Sequence, residues 1–154
     1  MGGIGKTALA KLLYNDEELK GHFELRAWVC VSHDFDVFNI SKQIYQAVVG
    51  EDITFSGLDL LHVALKEELS DKKFLLVLDD VWNEDHKKWE ALKQPLVGKV
   101  GSKVIVTTRN TVVASMMNSV EFHNLGVLKE EIAMCLFAQY ALEEKTLTNI
   151  HRFL

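Results

Sequence analysis

At the front of the chain, Met1-Gly2-Gly3-Ile4-Gly5-Lys6-Thr7 gathers residue types that together can grip a phosphate. Three glycines in the first five positions let the backbone bend tightly and turn consecutive N–H groups toward one anion. The Lys6 ammonium can reach the outer phosphates, and the Thr7 hydroxyl can ligate Mg2+. Ala8-Leu9-Ala10-Lys11-Leu12-Leu13-Tyr14 then continues in good helix formers, with an apolar stripe at 9, 12 and 13. The positive end of that helix would add to the pull on an anion. A Gly-Lys-Thr run alone also fits an ordinary glycine-rich turn, so a second element has to decide.

That element is Phe74-Leu75-Leu76-Val77-Leu78-Asp79-Asp80-Val81-Trp82. The unbroken apolar run ahead of Asp79 predicts a strand buried on both faces, as in a parallel sheet. Ligands of such sheets sit at the carboxyl ends of the strands, where a phosphate loop also lies. Asp79 would there help hold Mg2+ beside Thr7, and Asp80 would orient or deprotonate an attacking water. Without the loop, the two aspartates would merely start a turn. Lys103-Val104-Ile105-Val106-Thr107-Thr108-Arg109 predicts a second strand, rich in β-branched residues, with Arg109 at its ligand edge. Arg109 either reads a terminal phosphate or forms a plain surface salt bridge.

The elements that must position these residues alternate between helix and strand. A first helix is expected from about Lys6 to Leu19, followed by a strand over Leu25 to Val31 covered on both faces. Asp36 is placed to cap a helix from Val37 to about Val49, with its stripe at 37, 40, 44 and 48; Asp34 and Asp36 as a metal or acid–base pair is the competing reading. Gly50 to Phe55 reads as a loop, and a third helix carries Leu58, Leu61, Leu65 and Leu69 on one face. A short helix around Lys88 to Leu92 is ended by Pro95, the chain's single proline. Gly98 and Gly101 bracket the turn into the strand at 103–108. Val112 to Met117 suggests another helix, Val120 to Leu125 a weaker strand, and Leu128 to Leu142 an amphipathic helix with Ile132, Leu136 and Tyr140 on one face. The tail from 143 to 154 is helix-prone.

With 154 residues, 48% of them apolar and 25% charged, the chain is sized for one soluble globular domain or most of one. A net charge of −5 argues against a nucleic-acid surface. Cys30 and Cys135 each sit in an apolar pattern, and both are expected to be buried free thiols in a reducing compartment. No apolar run reaches membrane-spanning length. The six histidines show no paired spacing for zinc.

Gly2-Gly3-Ile4-Gly5-Lys6-Thr7, Leu75-Leu76-Val77-Leu78-Asp79-Asp80-Val81-Trp82 and Gly101-Ser102-Lys103-Val104-Ile105-Val106-Thr107-Thr108-Arg109, in this order and spacing, resemble the NB-ARC nucleotide-binding domain of plant disease-resistance receptors. Arg26-Ala27-Trp28-Val29-Cys30-Val31-Ser32 and Leu136-Phe137 add minor family blocks, and Trp82 resembles the coiled-coil subclass. The resemblance implies an α/β fold of the P-loop NTPase type: a three-layer sandwich with a parallel sheet, spanning 1–125, then the start of a helical subdomain over 126–154. It places Gly2, Gly3, Ile4, Gly5, Lys6, Thr7 and Ala8 around the nucleotide phosphates, Thr7 and Asp79 on Mg2+, Asp80 as base and Arg109 as sensor of the terminal phosphate. Ala8 stands where the family often has a second threonine, and Met134 where it often has tryptophan.

In the family pattern, one more glycine and a leading strand come before Met1, between the strand at 103–108 and that at 120–125; later blocks would follow Leu154. The chain is thus expected to be a partial copy that binds ATP or ADP poorly by itself. The implied whole is a cytoplasmic switch holding ADP at rest and ATP when active, reset by slow hydrolysis. Its implied partners are leucine-rich repeats and a coiled coil of the same chain, with self-association open, and neither nucleic acid nor a membrane span. An enzyme proper, either a small-molecule kinase or a faster ATPase, and a module without nucleotide binding are the alternatives.

Overall fold

Nearly every residue of the segment Phe74–Val81 is buried, and the rest of the first compact unit is laid around that strand. The computed structural model describes residues 4–31, 34–116, 122–127, 129 and 132. Along the chain run α1 (Lys6–Asn15), α2 (Glu17–Lys20), β1 (Leu25–Cys30), α3 (Val37–Val49), α4 (Leu58–Leu69), β2 (Phe74–Val81), α5 (His86–Lys93), β3 (Lys103–Thr108) and α6 (Thr111–Met116). Among the described residues the strands form one sheet in the order β1-β2-β3, with both pairings parallel. Met1–His123 is one compact unit and Asn124–Leu154 a second.

The period-2 alternation of a strand sends successive side chains to opposite faces. On one face Ala27 and Val29 of β1 and Leu76 and Leu78 of β2 join Ile40, Ile44, Leu61, Leu65, Leu69, Trp89 and Leu92 in a continuous core, so α3, α4 and α5 cover this side. The opposite face carries Leu75 and Val77, both buried, and α1 packs here against β2 and β3. Arg26 fastens the far end of α1 to β1, donating from Nη1 to the Tyr14 carbonyl at 2.8 Å, and Trp28 meets the Tyr14 ring edge-on at 5.5 Å. The sheet is therefore held between two helical layers, as the sequence pattern implies.

Local chemistry sets the ends of these elements. Asp36 caps α3, accepting from the N–H groups of Phe38 and Asn39, and Gly50 closes that helix in the left-handed region. Asp85 caps α5 in the same manner. Gly101, at φ 95°, makes the turn into β3 with a backbone that a side chain would strain.

Several expectations change. The first helix stops at Asn15 because Asp16 adopts an extended backbone and caps a separate short helix, accepting from the N–H groups of Glu18 and Leu19. A short acceptor side chain at that point competes better as a cap than as a helix interior residue. On β1 only Ala27 and Val29 are fully buried: Arg26 and Trp28 are half-buried and Cys30 is exposed. Cys30 is thus a free but not a buried thiol. It shares the less covered face of an edge strand with Arg26 and Trp28, and an apolar neighbourhood in sequence says nothing about which face a residue takes. Residues 122–125 are not in a strand, and Phe122 is exposed; polar His123 and Asn124 interrupt the apolar alternation that a strand would bury. Of the helix expected over 128–142, Ile132 is helical and exposed, while Met134, Cys135, Leu136 and Tyr140 lie outside the described residues, as do Gly2, Gly3 and the tail.

Leu78 is fully buried in the middle strand, among core side chains from three helices. Leu78→Ala should cost about 2–5 kcal/mol of unfolding free energy in urea titrations. A loss below about 1 kcal/mol would contradict the core as described.

Candidate functional site

Parallel strands end together, and the carboxyl ends of β1, β2 and β3 lie at one edge of the sheet. The start of α1 reaches the same edge, because Thr7 in its first turn donates its hydroxyl to Asp79 Oδ1 at 2.9 Å across 72 residues of chain. Gly5 leads into α1 at φ 89° and ψ 12°, a left-handed backbone that glycine adopts without a steric cost. No side chain caps this helix at Gly5, in contrast to α2, α3 and α5, whose first-turn N–H groups are taken by Asp16, Asp36 and Asp85. Ile4, Lys6 and Thr7 are half-buried around that turn, and Ala8 is exposed. An anion at such a terminus would meet backbone donors, the positive helix end and the Lys6 ammonium together.

Asp79 closes the apolar run of β2 and is only 6% exposed. A buried carboxylate has to be hydrogen-bonded, and Oδ1 accepts from both Thr7 and Thr107, the latter at 2.5 Å. The pairing register then breaks: Leu78 lies opposite Val106 and Val81 opposite Thr108, so Asp79 and Asp80 together face Thr107 alone. This is a β-bulge, which bends the strand and re-aims its side chains. Asp80 takes up the bend with φ 57°, a left-handed conformation rare for any residue but glycine, asparagine or aspartate. Its backbone N–H donates to Thr107 Oγ1 at 2.8 Å.

Turned out of the sheet, the Asp80 carboxylate meets Arg109, whose Nε and Nη2 donate to Oδ1 and Oδ2 at 3.2 and 3.4 Å. The same guanidinium lies over the Trp82 ring, 5.1 Å from its centre, where the ring's electron-rich face attracts a cation. Arg109 sits in the short link between β3 and α6. Thr108 Oγ1 accepts from the Asn110 N–H, and Asn110 Oδ1 accepts from the Val112 N–H, so this link has a fixed course. The candidate base and the candidate phosphate sensor thus hold each other, and the surface salt bridge weighed for Arg109 is present with Asp80 as its partner.

The geometry unites Ile4, Gly5, Lys6, Thr7, Ala8, Asp79, Asp80 and Arg109 at one edge; Gly2 and Gly3 lie outside the described residues. Sequence reasoning missed Thr107, although it stands two residues before Arg109. A threonine in a β-branched strand reads as ordinary strand composition, and only the bulge shows that its hydroxyl faces two carboxylate-bearing residues. Thr7 Oγ1 and Asp79 Oδ1 are close enough to share a small divalent cation with oxygen ligands at about 2.1 Å, the pattern of a magnesium ion that takes its other ligands from phosphate and water.

A glycine turn into a helix whose first hydroxyl meets an aspartate at the end of the middle parallel strand defines a P-loop nucleotide-binding domain. More narrowly, the chain belongs to the NB-ARC domain family, whose model matches residues 1–147. It is 45% identical over 140 residues to disease resistance RPP13-like protein 1 of Arabidopsis thaliana, covering 89% of this chain and 13% of that protein. It is 42% identical over 144 residues to disease resistance protein RGA2 of Solanum bulbocastanum, covering 92% of this chain and 15% of that protein. Against disease resistance protein RPP13 of Arabidopsis thaliana it is 37% identical over an alignment of 160 positions, which covers 99% of this chain and 18% of that protein. The chain spans less than a fifth of the length of these relatives. Among the described residues, no helix is long and apolar enough to cross a membrane.

Both members of the Arg109–Asp80 pair are 42% exposed. Such pairs add about 0–1 kcal/mol to stability, so Arg109→Ala should shift the urea midpoint only slightly. A loss above about 2 kcal/mol would mean that the pair is a structural strut rather than an exchangeable contact.

Proposed function

We propose that the chain is the ADP/ATP switch domain of an intracellular plant immune receptor, acting in the cytoplasm with slow ATP hydrolysis as its reset. In this reading 1–125 is the nucleotide-binding subdomain and 126–154 begins a helical subdomain. Leucine-rich repeats and a coiled coil of the same receptor are its partners. The observation that carries the reading is the Thr7–Asp79 contact, which brings a hydroxyl and a carboxylate together at the start of α1. Gly2, Gly3, Ile4, Gly5 and Ala8 lend backbone to the phosphates and Lys6 its charge, while Thr7 and Asp79 hold Mg2+. When bound, Mg2+ supplies positive charge that neutralises the phosphate oxygens.

The Arg109–Asp80 pair supports the switch. With ADP, Arg109 stays on Asp80 and Trp82. A terminal phosphate offers the guanidinium a second anionic partner of fork geometry, and a contact made in only one nucleotide state is what a population shift requires. Released from Arg109, Asp80 is free to orient the attacking water. One residue thereby reports the terminal phosphate and uncovers the base that removes it.

Lys6→Ala should lower ADP affinity by about tenfold to a hundredfold in calorimetry at millimolar nucleotide, since charge-assisted contacts contribute about 1.5–3 kcal/mol each. The far-ultraviolet circular dichroism should be that of the parent. Asp80→Ala should slow single-turnover ATP hydrolysis while weakening ATP binding far less, because a water-orienting group acts mainly on the transition state. Unchanged ADP affinity in folded Lys6→Ala would remove the phosphate assignment, and parent-rate hydrolysis by Asp80→Ala would remove the base.

A further inference from the structure

Thr107 is 7% exposed, and its hydroxyl is committed in both directions. A threonine hydroxyl has one proton to give and two lone pairs to offer. At 2.5 Å from Asp79 Oδ1 the proton goes to the carboxylate, a length typical of a charge-assisted O–H···O− bond. The oxygen is then left to accept, and it takes the Asp80 N–H at 2.8 Å. We infer that Thr107 is the positioning residue of this site, a single hydroxyl that holds the Asp79 carboxylate in place for the metal and the Asp80 backbone in the conformation that aims its carboxylate outward. The inference rests on the reading of Thr7 and Asp79 as magnesium holders.

The bulge makes this hydroxyl necessary. Two residues of β2 face one residue of β3, so the regular ladder has no backbone acceptor in register for the Asp80 N–H. Thr107 Oγ1 replaces that acceptor from the side chain and pins a residue held at φ 57°. The Asp79 end works differently. Oδ1 now accepts two hydroxyls, but the Thr7 oxygen would also give a lone pair to a bound cation, so its bond to Asp79 has to adjust to a second partner. Thr107 has no part in holding the cation, so its bond to Oδ1 keeps the carboxylate in place while Thr7 adjusts. Outer hydrogen bonds of this sort orient metal-holding carboxylates, and their loss typically weakens metal binding about 10–100-fold. A valine would fill the same volume in a β-branched strand, so packing alone does not call for the hydroxyl.

The test compares the parent chain with Thr107→Val and Thr107→Ser, measuring ADP affinity with Mg2+ and with EDTA by calorimetry. The expected result is a Mg2+ enhancement in the parent that falls at least about tenfold in Thr107→Val and returns in Thr107→Ser, with metal-free ADP affinity changed by less than about twofold. Hydrogen exchange gives an arm that needs no nucleotide: the Asp80 amide should exchange faster in Thr107→Val, while the Val77 amide keeps its parent rate. In the parent itself, NMR should show a slowly exchanging Thr107 hydroxyl proton, a reading that stands even if the valine variant does not fold. Parent-like Mg2+ enhancement in folded Thr107→Val, an equal loss with and without Mg2+, or a rapidly exchanging hydroxyl would each overturn the assignment. A parent that binds ADP with no Mg2+ enhancement would instead overturn the reading of Thr7 and Asp79 beneath it.

Discussion

A hydroxyl in the first turn of α1 and a carboxylate at the end of β2 meet at 2.9 Å, and the rest of the site depends on where that meeting falls. For the two to touch, β2 must lie in the middle of the sheet, α1 must pack on the face opposite α3, α4 and α5, and Gly5 must turn the chain sharply into the helix. The apolar run of β2 meets the first demand, since residues buried on both faces belong in an interior strand. A buried carboxylate is costly unless its oxygens are bonded, and Asp79 is tolerated because Thr7 and Thr107 both donate to it. Among the described residues no buried side-chain polar atom lacks a hydrogen-bond partner.

Beyond Asp79 the sheet gives up regularity. Two residues against one at the bulge, a left-handed aspartate and an arginine shared between a carboxylate and a tryptophan face all occur within a few residues of the strand ends. Each departs from the geometry a plain parallel sheet would prefer, and all of them sit at one edge. Irregular backbone held by surrounding structure is where proteins commonly place chemistry. The Arg109–Asp80 contact is half-exposed and long for a charge-assisted pair, so a phosphate could draw the guanidinium away at little energetic cost. A switch needs such an exchangeable contact beside a rigid one. In the proposed switch Asp79 supplies the rigid contact and Asp80 the exchangeable one, though they are neighbours in sequence.

The layout and the main site residues are legible in the sequence because they rest on strong signals. A continuous apolar strand ending in two aspartates, a glycine turn before Lys6 and Thr7, and an aspartate ahead of α3 each have one dominant physical reading. Signals that depend on three-dimensional neighbours are not legible. Cys30 is exposed because β1 is an edge strand with one less covered face, which no local pattern encodes. Asp16 breaks the first helix, since its side chain bonds the next turn more favourably than it sits within a helix, and the apolar stripe continuing on either side hides this. Thr107 escapes notice because its function comes from a register slip on the other strand. The strand expected near 120–125 shows the opposite error: Phe122 suggests a buried face, but the residues after it cannot extend the alternation.

Convergence on Asp79 is most directly tested by the cation proposed for it. Mn2+ can replace Mg2+ at oxygen sites and is followed by electron paramagnetic resonance, so titrating it into the parent and into Asp79→Asn, both saturated with ADP, isolates the carboxylate charge in a side chain of the same size. The parent should bind one Mn2+ with ADP, and Asp79→Asn should bind it at least about tenfold more weakly while still retaining the nucleotide. Equal Mn2+ affinity in the two chains would contradict a site organised around the Thr7–Asp79 meeting.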